Sequence, residues 1–372
     1  MADLKKTPLY EIYEKYGGRI IDFSGWALPV QFTSIKEEHA ACREQAALWD
    51  VSDMGEILVE GPDALNLLQF LMTNDISKGY AGRVVYSPMC YPNGGVVDDM
   101  MIVCLQGGKY LLVVNAGNID KVYEWASTAA KYFKDVTVKN LSAEIAEVAL
   151  QGPNSERILQ KVCKYPLNEL KYYHAVEHVD VAGIDTLITR TGYTGEDGFE
   201  VYCKAEEGIA LFEAIMEAGE GDGLVPAGLG CRDTLRFEAS MPLYGQELDE
   251  NHGPLVAGLG RFVAFGKGTY FVGSSALMEQ REKGLPAKLV GLEMLERSVP
   301  RTGYKVLDES GEKEIGYITT GSYAPTLDKY LAMAYVPVEA SAVGTKVKVL
   351  VRNKQYAAEI VKMPFYRRGK TK

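Results

Sequence analysis

The sequence predicts an α+β protein in which two ferredoxin-like α+β domains precede a C-terminal all-β barrel, and three observations carry that prediction. A strand, a Gly-Pro turn, an Asp or Asn and an amphipathic helix occur in that order twice, in "GEILVEGPDALNLLQFLM" and again in "EVALQGPNSERILQKVC". Each occurrence runs on into several strand-like segments and a second helical one, the pattern of an α+β repeat. From about Lys283 short apolar runs are separated by turns at regular intervals, the rhythm of a small barrel or sandwich. The implied domains are residues 1–140, 141–282 and 283–372.

Ahead of the first repeat, "SIKEEHAACREQAALWD" has Ser34 with Glu37 three residues on, a capping-box start to a helix. In the first repeat Gly61 and Pro62 make the turn and Asp63 is the expected cap. The strands "RVVYSPMCYP", "NGGVVDDMMIV" and "YLLVVNAGN" then lead to the helical "IDKVYEWASTAAKYF". The second repeat passes through "HVDVAGIDTLITRTGYTGEDGFEVYC" to the helical "EEGIALFEAIMEAG". The charged "EQREKGLP" reads as the linker to the barrel, whose strands are "LVGLEML", "YKVLD", "EIGYITTG", "LAMAYV", "TKVKVLV" and "YAAEIVKM".

The chain of 372 residues is 47% hydrophobic and 24% charged, enough apolar material for folded domains rather than disorder. A formal charge of −10 argues against nucleic acid as a partner, and the basic "YRRGKTK" is adequately read as a solvated tail. No run approaches the ~18 uninterrupted apolar residues of a membrane span, and "MADLKKTPLYEIYEKY" has neither signal-peptide nor transit-peptide character. A cytoplasmic protein without membrane attachment is therefore expected. The six cysteines are widely spaced with no C-x-x-C pair, which favours reduced core thiols and indicates neither zinc nor an iron–sulfur cluster.

Several motifs lose their force in context. "HAVEH" spells a zinc-site pattern, but it runs directly into the strand-like "VDVAGIDTLI", where helical ligand geometry is lost. "GLGRFVAFGKGTY" has five residues between Gly260 and Gly266 and Gly268 after Lys267, so it reads as a turn-rich surface loop rather than a phosphate loop. "PAGLGCRD" puts Asp233 where a dinucleotide fingerprint needs its third glycine. The four histidines assemble no nucleophilic triad.

Three clusters remain. In "NGGVVDDMMIV" strand alternation places Asp99 with Val97 and Met101 on one face, and Asp98 with Val96 and Met100 on the other. In a layered domain at least one of these carboxylates enters a poorly solvated place, which costs several kcal/mol unless it is paired. In "GFEVY" Phe199 and Val201 share one face while Glu200 and Tyr202 share the other, where Glu200 can line a cleft. Arg232 and Arg236 lie four apart in "GLGCRDTLRFEA"; on spacing alone a solvated salt-bridge cluster with Asp233 is the favoured reading.

These segments, together with "DVSDMGE", "TND", "LQGP", "PAGLGCRDTLRFEASMPLYGQELDE", "GYITTGSYAPTL" and "KMPFY", resemble the aminomethyltransferase (T-protein) family of the glycine cleavage system over nearly the whole chain. The resemblance implies a clover-leaf arrangement of the three domains around a folate channel. It implies transfer of the one-carbon unit of an aminomethyl group, carried on lipoylated H-protein, to tetrahydrofolate as co-substrate, with no metal. The products are 5,10-methylenetetrahydrofolate, ammonia and dihydrolipoyl H-protein, and a monomer that docks transiently is expected.

By the same resemblance Asp99 is the catalytic carboxylate, Glu200 grips the pterin and Arg232 contacts folate, with Tyr86, Tyr193 and Asn115 lining the pocket. Met54, Tyr172 and Tyr173 are candidate walls, core packing being the rival reading, and Arg367 is a candidate for closing the site. Asp53 stands where the family often has His, and it is not carried over. Two alternatives stay open: a related folate-dependent methyltransferase or demethylase, and a non-enzymatic folate-binding protein of iron–sulfur maintenance. The latter's Lys-Gly-Cys-Tyr-x-Gly segment has no cysteine counterpart in "SMPLYGQELDE".

Overall fold

The computed structural model describes residues 4–369. Two compact units emerge, one running to Ser87 and then Asp99–Asp233, the other containing Pro88–Asp98 and everything from Thr234 onward. The first unit begins with a hairpin of β1 (Arg19–Phe23) and β2 (Trp26–Gln31), followed by helix α1 (Ile35–Glu44) and strand β3 (Ala46–Asp50). Ser34 caps α1 as expected, its hydroxyl accepting from the Glu37 amide at 3.2 Å and donating to the Glu37 carboxylate at 2.9 Å. "AALWD" leaves the helix to become β3, because this nearly all-buried run finds a place inside a sheet.

The first repeat consists of β4 (Gly55–Glu60), α2 (Ala64–Leu71), β5 (Val84–Cys90), β6 (Val96–Cys104), β7 (Tyr110–Val114), α3 (Ile119–Ala130) and β8 (Thr137–Asn140). The second has the same order: β9 (Ile145–Gln151), α4 (Ser155–Gln160), β10 (Ala175–Val181), β11 (Ile184–Thr189), β12 (Gly198–Lys204), α5 (Gly208–Gly219) and β13 (Leu224–Pro226). Their sheets are ordered β5-β6-β7-β4-β8 and β10-β11-β12-β9-β3-β13. The orders correspond strand for strand, except that β3 is inserted between β9 and β13, antiparallel to the former and parallel to the latter.

Strand alternation then builds layers. One face of the second sheet, with Val148, Leu150, Phe199 and Val201, packs against Ile158 and Leu159 of α4 and Leu211, Phe212 and Ile215 of α5. The opposite face contributes Tyr202 and Ala175 to a core shared with Val84, Val103, Leu111 and Val113 of the first sheet. The two sheets thus meet face to face, and polar residues on these inner faces are the ones that need explaining.

Asp63 sits at the start of α2 but does not cap it; its carboxylate accepts from the Asn66 side chain and from the amides of Lys134 and Asp135. The strand context of "HAVEH" holds, since Ala175–Val181 is β10, and no metal-holding group of His, Cys, Asp and Glu occurs among the described residues. All six cysteines are buried, and none forms a disulfide among the described residues.

In the second unit helices α6 (Leu229–Glu238, its first turns in the first unit) and α7 (Ser274–Lys283) precede strands β14 (Lys288–Met294), β15 (Lys305–Leu307), β16 (Glu314–Ala324), β17 (Lys329–Val336), β18 (Lys346–Val351) and β19 (Lys354–Val361). These six strands close into a barrel, β14-β17-β16-β15-β18-β19. The expected linker "EQREKGLP" is in part helical: Glu279–Lys283 complete α7, with Lys283 bonded to Glu279 one turn back. The loop "GLGRFVAFGKGTY" is turn-rich as expected, yet Val263 within it and Phe271 just after it anchor it in a small core with Cys90, Val96 and Leu277. Arg236 corrects the solvated-cluster reading: it is buried, paired with Glu247 at 3.0 Å and bonded to Thr320. Lys370–Lys372 of the basic tail lie outside the described residues. Among the described residues no helix is long and apolar enough to cross a membrane.

Candidate active site

Strand β6 delivers its two aspartates to different environments, as alternation requires. Asp98 is fully buried and belongs to the second unit. There the hairpin turn is held by Gly95, where a Cβ would stand 1.8 Å from the Glu250 carbonyl oxygen, so no side chain fits. Asp99 is half-buried in the first unit, on the face that looks toward the second sheet. Tyr86 donates its hydroxyl to Asp99 Oδ2 at 2.8 Å, and Asn115 Nδ2 donates to Oδ1 at 3.2 Å and to the Asp99 carbonyl at 3.1 Å. Asn74, from "TND", fixes the neighbouring backbone by donating to the Tyr86 carbonyl at 2.9 Å. Burial first, then the Asp99 charge and hydrogen bond, and then Tyr193 and Tyr173, push the Tyr86 hydroxyl well above its usual range, so it stays a proton donor.

The second repeat supplies the other half. The loop between β11 and β12, "TRTGYTGEDG", is fastened at several points. Arg190 pairs with Asp197 and Glu156, Thr194 bonds Gln151, and Arg43 bonds both the Thr194 carbonyl and Glu196. Gly192 is required there, since a Cβ would meet Gln151 Oε1 at 1.9 Å. The fixed loop presents Tyr193, whose ring lies 5.2 Å from the Arg232 guanidinium.

On β12 Glu200 is buried and accepts from Thr191 Oγ1 at 2.5 Å, and that hydroxyl is itself paired with Thr189. Burial raises the Glu200 carboxyl above the ordinary range, while Thr191 and Arg232 pull it back down. Tyr173 has a left-handed backbone (φ 59°) held by bonds to Val84 and Arg190, and its ring packs edge-on against Tyr172 with centroids 4.7 Å apart. Met54 packs on the inter-sheet core beside Tyr173 and Tyr202.

The structure therefore brings Asp99, Tyr86, Asn115, Tyr193, Tyr173, Met54, Glu200 and Arg232 into the layer between the two sheets. Tyr172 is mostly exposed at its edge, and Arg367 is exposed in the second unit. Thr191 and Asn74 were not singled out by sequence reasoning, although both lie in quoted motifs; hydroxyl and amide side chains carry no periodic signal of their own. Asp53, set aside on sequence, is buried here, and burial with the Asp50 charge raises its carboxyl to about 6 despite Arg232. Chemically the layer offers one partly open carboxylate oriented by neutral donors, and one dry carboxylate beside a guanidinium stacked on an aromatic ring.

Residues 9–267 match the GCVT N-terminal domain family, and residues 288–367 match the glycine cleavage T-protein C-terminal barrel domain. An aminomethyltransferase of Geobacillus sp. is 51% identical over 367 residues, covering 99% of this chain and all of the relative. That of Halalkalibacterium halodurans is 51% identical over 369 residues with the same coverage. Among solved structures, the glycine cleavage system aminomethyltransferase T of Bartonella henselae superposes with a TM-score of 0.91 at 33% identity, covering 98% of both chains. With both domains matched in order and relatives aligned from end to end, the chain belongs to the glycine cleavage T-protein family of aminomethyltransferases.

Proposed function

We propose that Asp99 is the catalytic carboxylate of a one-carbon transfer from aminomethylated, lipoylated H-protein to tetrahydrofolate. Folate N5 attacks the aminomethyl carbon as its C–S bond breaks and the lipoyl thiol leaves. Ammonia is then expelled, positive charge develops on the N5-bound carbon, and N10 attacks that carbon and releases a proton as the five-membered ring closes. An oriented carboxylate near N10 stabilises that charge and helps move that proton. The observation that carries the assignment is the position of Asp99 on the inner face of β6, half-exposed and held by Tyr86 and Asn115, two donors that orient it without neutralising it. Asp98, buried on the other face, is assigned a structural role.

Glu200 accepts two hydrogen bonds from the amino and ring N–H edge of the pterin, for which a carboxylate has the right shape. Arg232 and Tyr193 hold the folate beside it, and Met54, Tyr172 and Tyr173 form walls. Arg367 is assigned to the folate site on the family resemblance, and the three domains are bounded near residues 140 and 282. The enzyme works in the cytoplasm as a monomer that meets H-protein transiently, without a metal.

The test is formation of methylenetetrahydrofolate and ammonia from aminomethylated H-protein plus tetrahydrofolate, alongside a small methyl donor in place of H-protein. Product with H-protein alone supports the reading. Turnover of the methyl donor alone contradicts it.

A further inference from the structure

The layer between the sheets contains a second group of acids that the reaction above does not use. Glu56 on β4 and Glu147 on β9 each stand five residues before the glycine of the Gly-Pro turn, Gly61 and Gly152, so they occupy equivalent positions of the two repeats. Glu56 is opposite Val113 and Glu147 opposite Tyr202 in strand register, and Val113 and Tyr202 belong to the shared inter-sheet core. Paired residues of neighbouring strands share a face, so the two carboxyls enter the layer from opposite sheets.

Asp53 joins them, because the loop that carries it is tied to β9. Val51 donates to the Glu147 carbonyl, and Ser52 exchanges hydrogen bonds with the Glu147 backbone. Exposure is 0% for Glu56, 1% for Glu147, 6% for Asp53 and 9% for Glu200. Neither carboxylate oxygen of Glu56 has a hydrogen-bond partner, nor does Oε2 of Glu147. The charges and dipoles facing the group are Asp53 with Asp50 behind it, Glu200 and Tyr202 from β12, and Arg232 from α6.

Four ionised carboxylates around one guanidinium would leave a large uncompensated charge out of water, so protons must be taken up. Glu200 has Thr191 and Arg232 to stabilise its charge, and Arg232 also supports Asp53. Glu56, with neither oxygen bonded, and Glu147, fully buried with one oxygen unbonded and repelled by Glu200 and Glu56 although Arg232 and Tyr202 support it, are the least satisfied and so hold the protons. We propose that Glu56 and Glu147 form a proton-holding pair of positioning residues which, by staying neutral, leaves Arg232 committed to Glu200 and to bound folate. The proposal rests on the folate-gripping role given to Glu200 and Arg232 above. Burial, the largest cause, and repulsion from neighbouring acids hold both groups well above the ordinary carboxylate range. As pH rises and the pair ionises, its charge competes for Arg232 and opposes the ionised form of Glu200, so folate affinity falls.

The test uses the full chain, tetrahydrofolate, and the variants Glu56→Gln, Glu147→Gln and their combination, in which glutamine keeps the shape and stays neutral. Infrared spectra of the ligand-free wild type should show protonated-carboxyl absorption at neutral pH that diminishes in the double variant. Wild-type affinity should fall about tenfold from neutral to alkaline pH, the effect of a one-unit interaction between titrating groups, with KM moving more than kcat. The double variant should keep its neutral-pH affinity over that range. Absence of the absorption in the wild type, its survival undiminished in the double variant, or an unchanged pH profile would each overturn the proposal. Tetrahydrofolate failing to bind at any pH would instead overturn the folate-site reading, and the two failures are told apart because the absorption is read without ligand.

Discussion

The two repeats of the first unit share one element order, yet each treats its principal carboxylate differently. In the first, Asp99 lies half-exposed at the inner face of β6, oriented by a phenol and an amide. In the second, Glu200 is nearly buried on β12, bonded to a threonine hydroxyl and within the field of Arg232. A group that moves a proton needs access and orientation without a counter-ion that fixes its charge. A group that grips a ligand gains from a dry surrounding, where each hydrogen bond is stronger and each unpaired partner more costly. With the proposed roles, one repeat is suited to chemistry and the other to holding.

The comparison breaks most sharply at Asp99. Asp99→Asn keeps shape and removes charge, and turnover should drop by about 10²–10⁴-fold, while tetrahydrofolate affinity by calorimetry stays near that of the wild type. Glu200→Gln should show the reverse, with affinity lower by roughly 10–100-fold, as expected for charged hydrogen bonds of about 1.5–3 kcal/mol, and saturated turnover little changed.

Asp53 sharpens the comparison on the stability side. Its folded carboxyl titrates at about 6 against an ordinary 3.8. Between those values the folded protein keeps a proton that the unfolded chain has released, so stability falls as pH rises through that window. Asp53→Asn should therefore stabilise the protein at pH 7 by about 3 kcal/mol in chemical denaturation, the gain vanishing below the lower value. The smallest effect is expected at Tyr86→Phe, which removes one donor from Asp99 and should slow turnover by about 3–10-fold with folate affinity preserved.

Much of this division could be read from the chain. The twin Gly-Pro units, the split of Phe199 and Val201 from Glu200 and Tyr202, and the adjacent aspartates of β6 all follow from a period of two, and the layers obey it. What escaped depends on partners distant in sequence. Ala46–Asp50 follows a helix without a turn signal and becomes a strand only because β9 and β13 flank it. Asp63 stands at a cap position but spends its carboxylate on amides about seventy residues away. Arg236 has the spacing of a surface ion pair, yet Glu247 and Thr320 draw it into the interior. Glu56 and Glu147 are visible as equivalent letters, but only the stacking of the sheets puts both in one layer.

The most direct measurement is a paired one: tetrahydrofolate affinity and saturated turnover with aminomethylated H-protein, determined side by side for Asp99→Asn and Glu200→Gln. The division of labour predicts a crossed result, turnover lost with affinity kept in the first and affinity lost with turnover kept in the second. If both quantities fall together in either variant, the two repeats do not divide chemistry from binding.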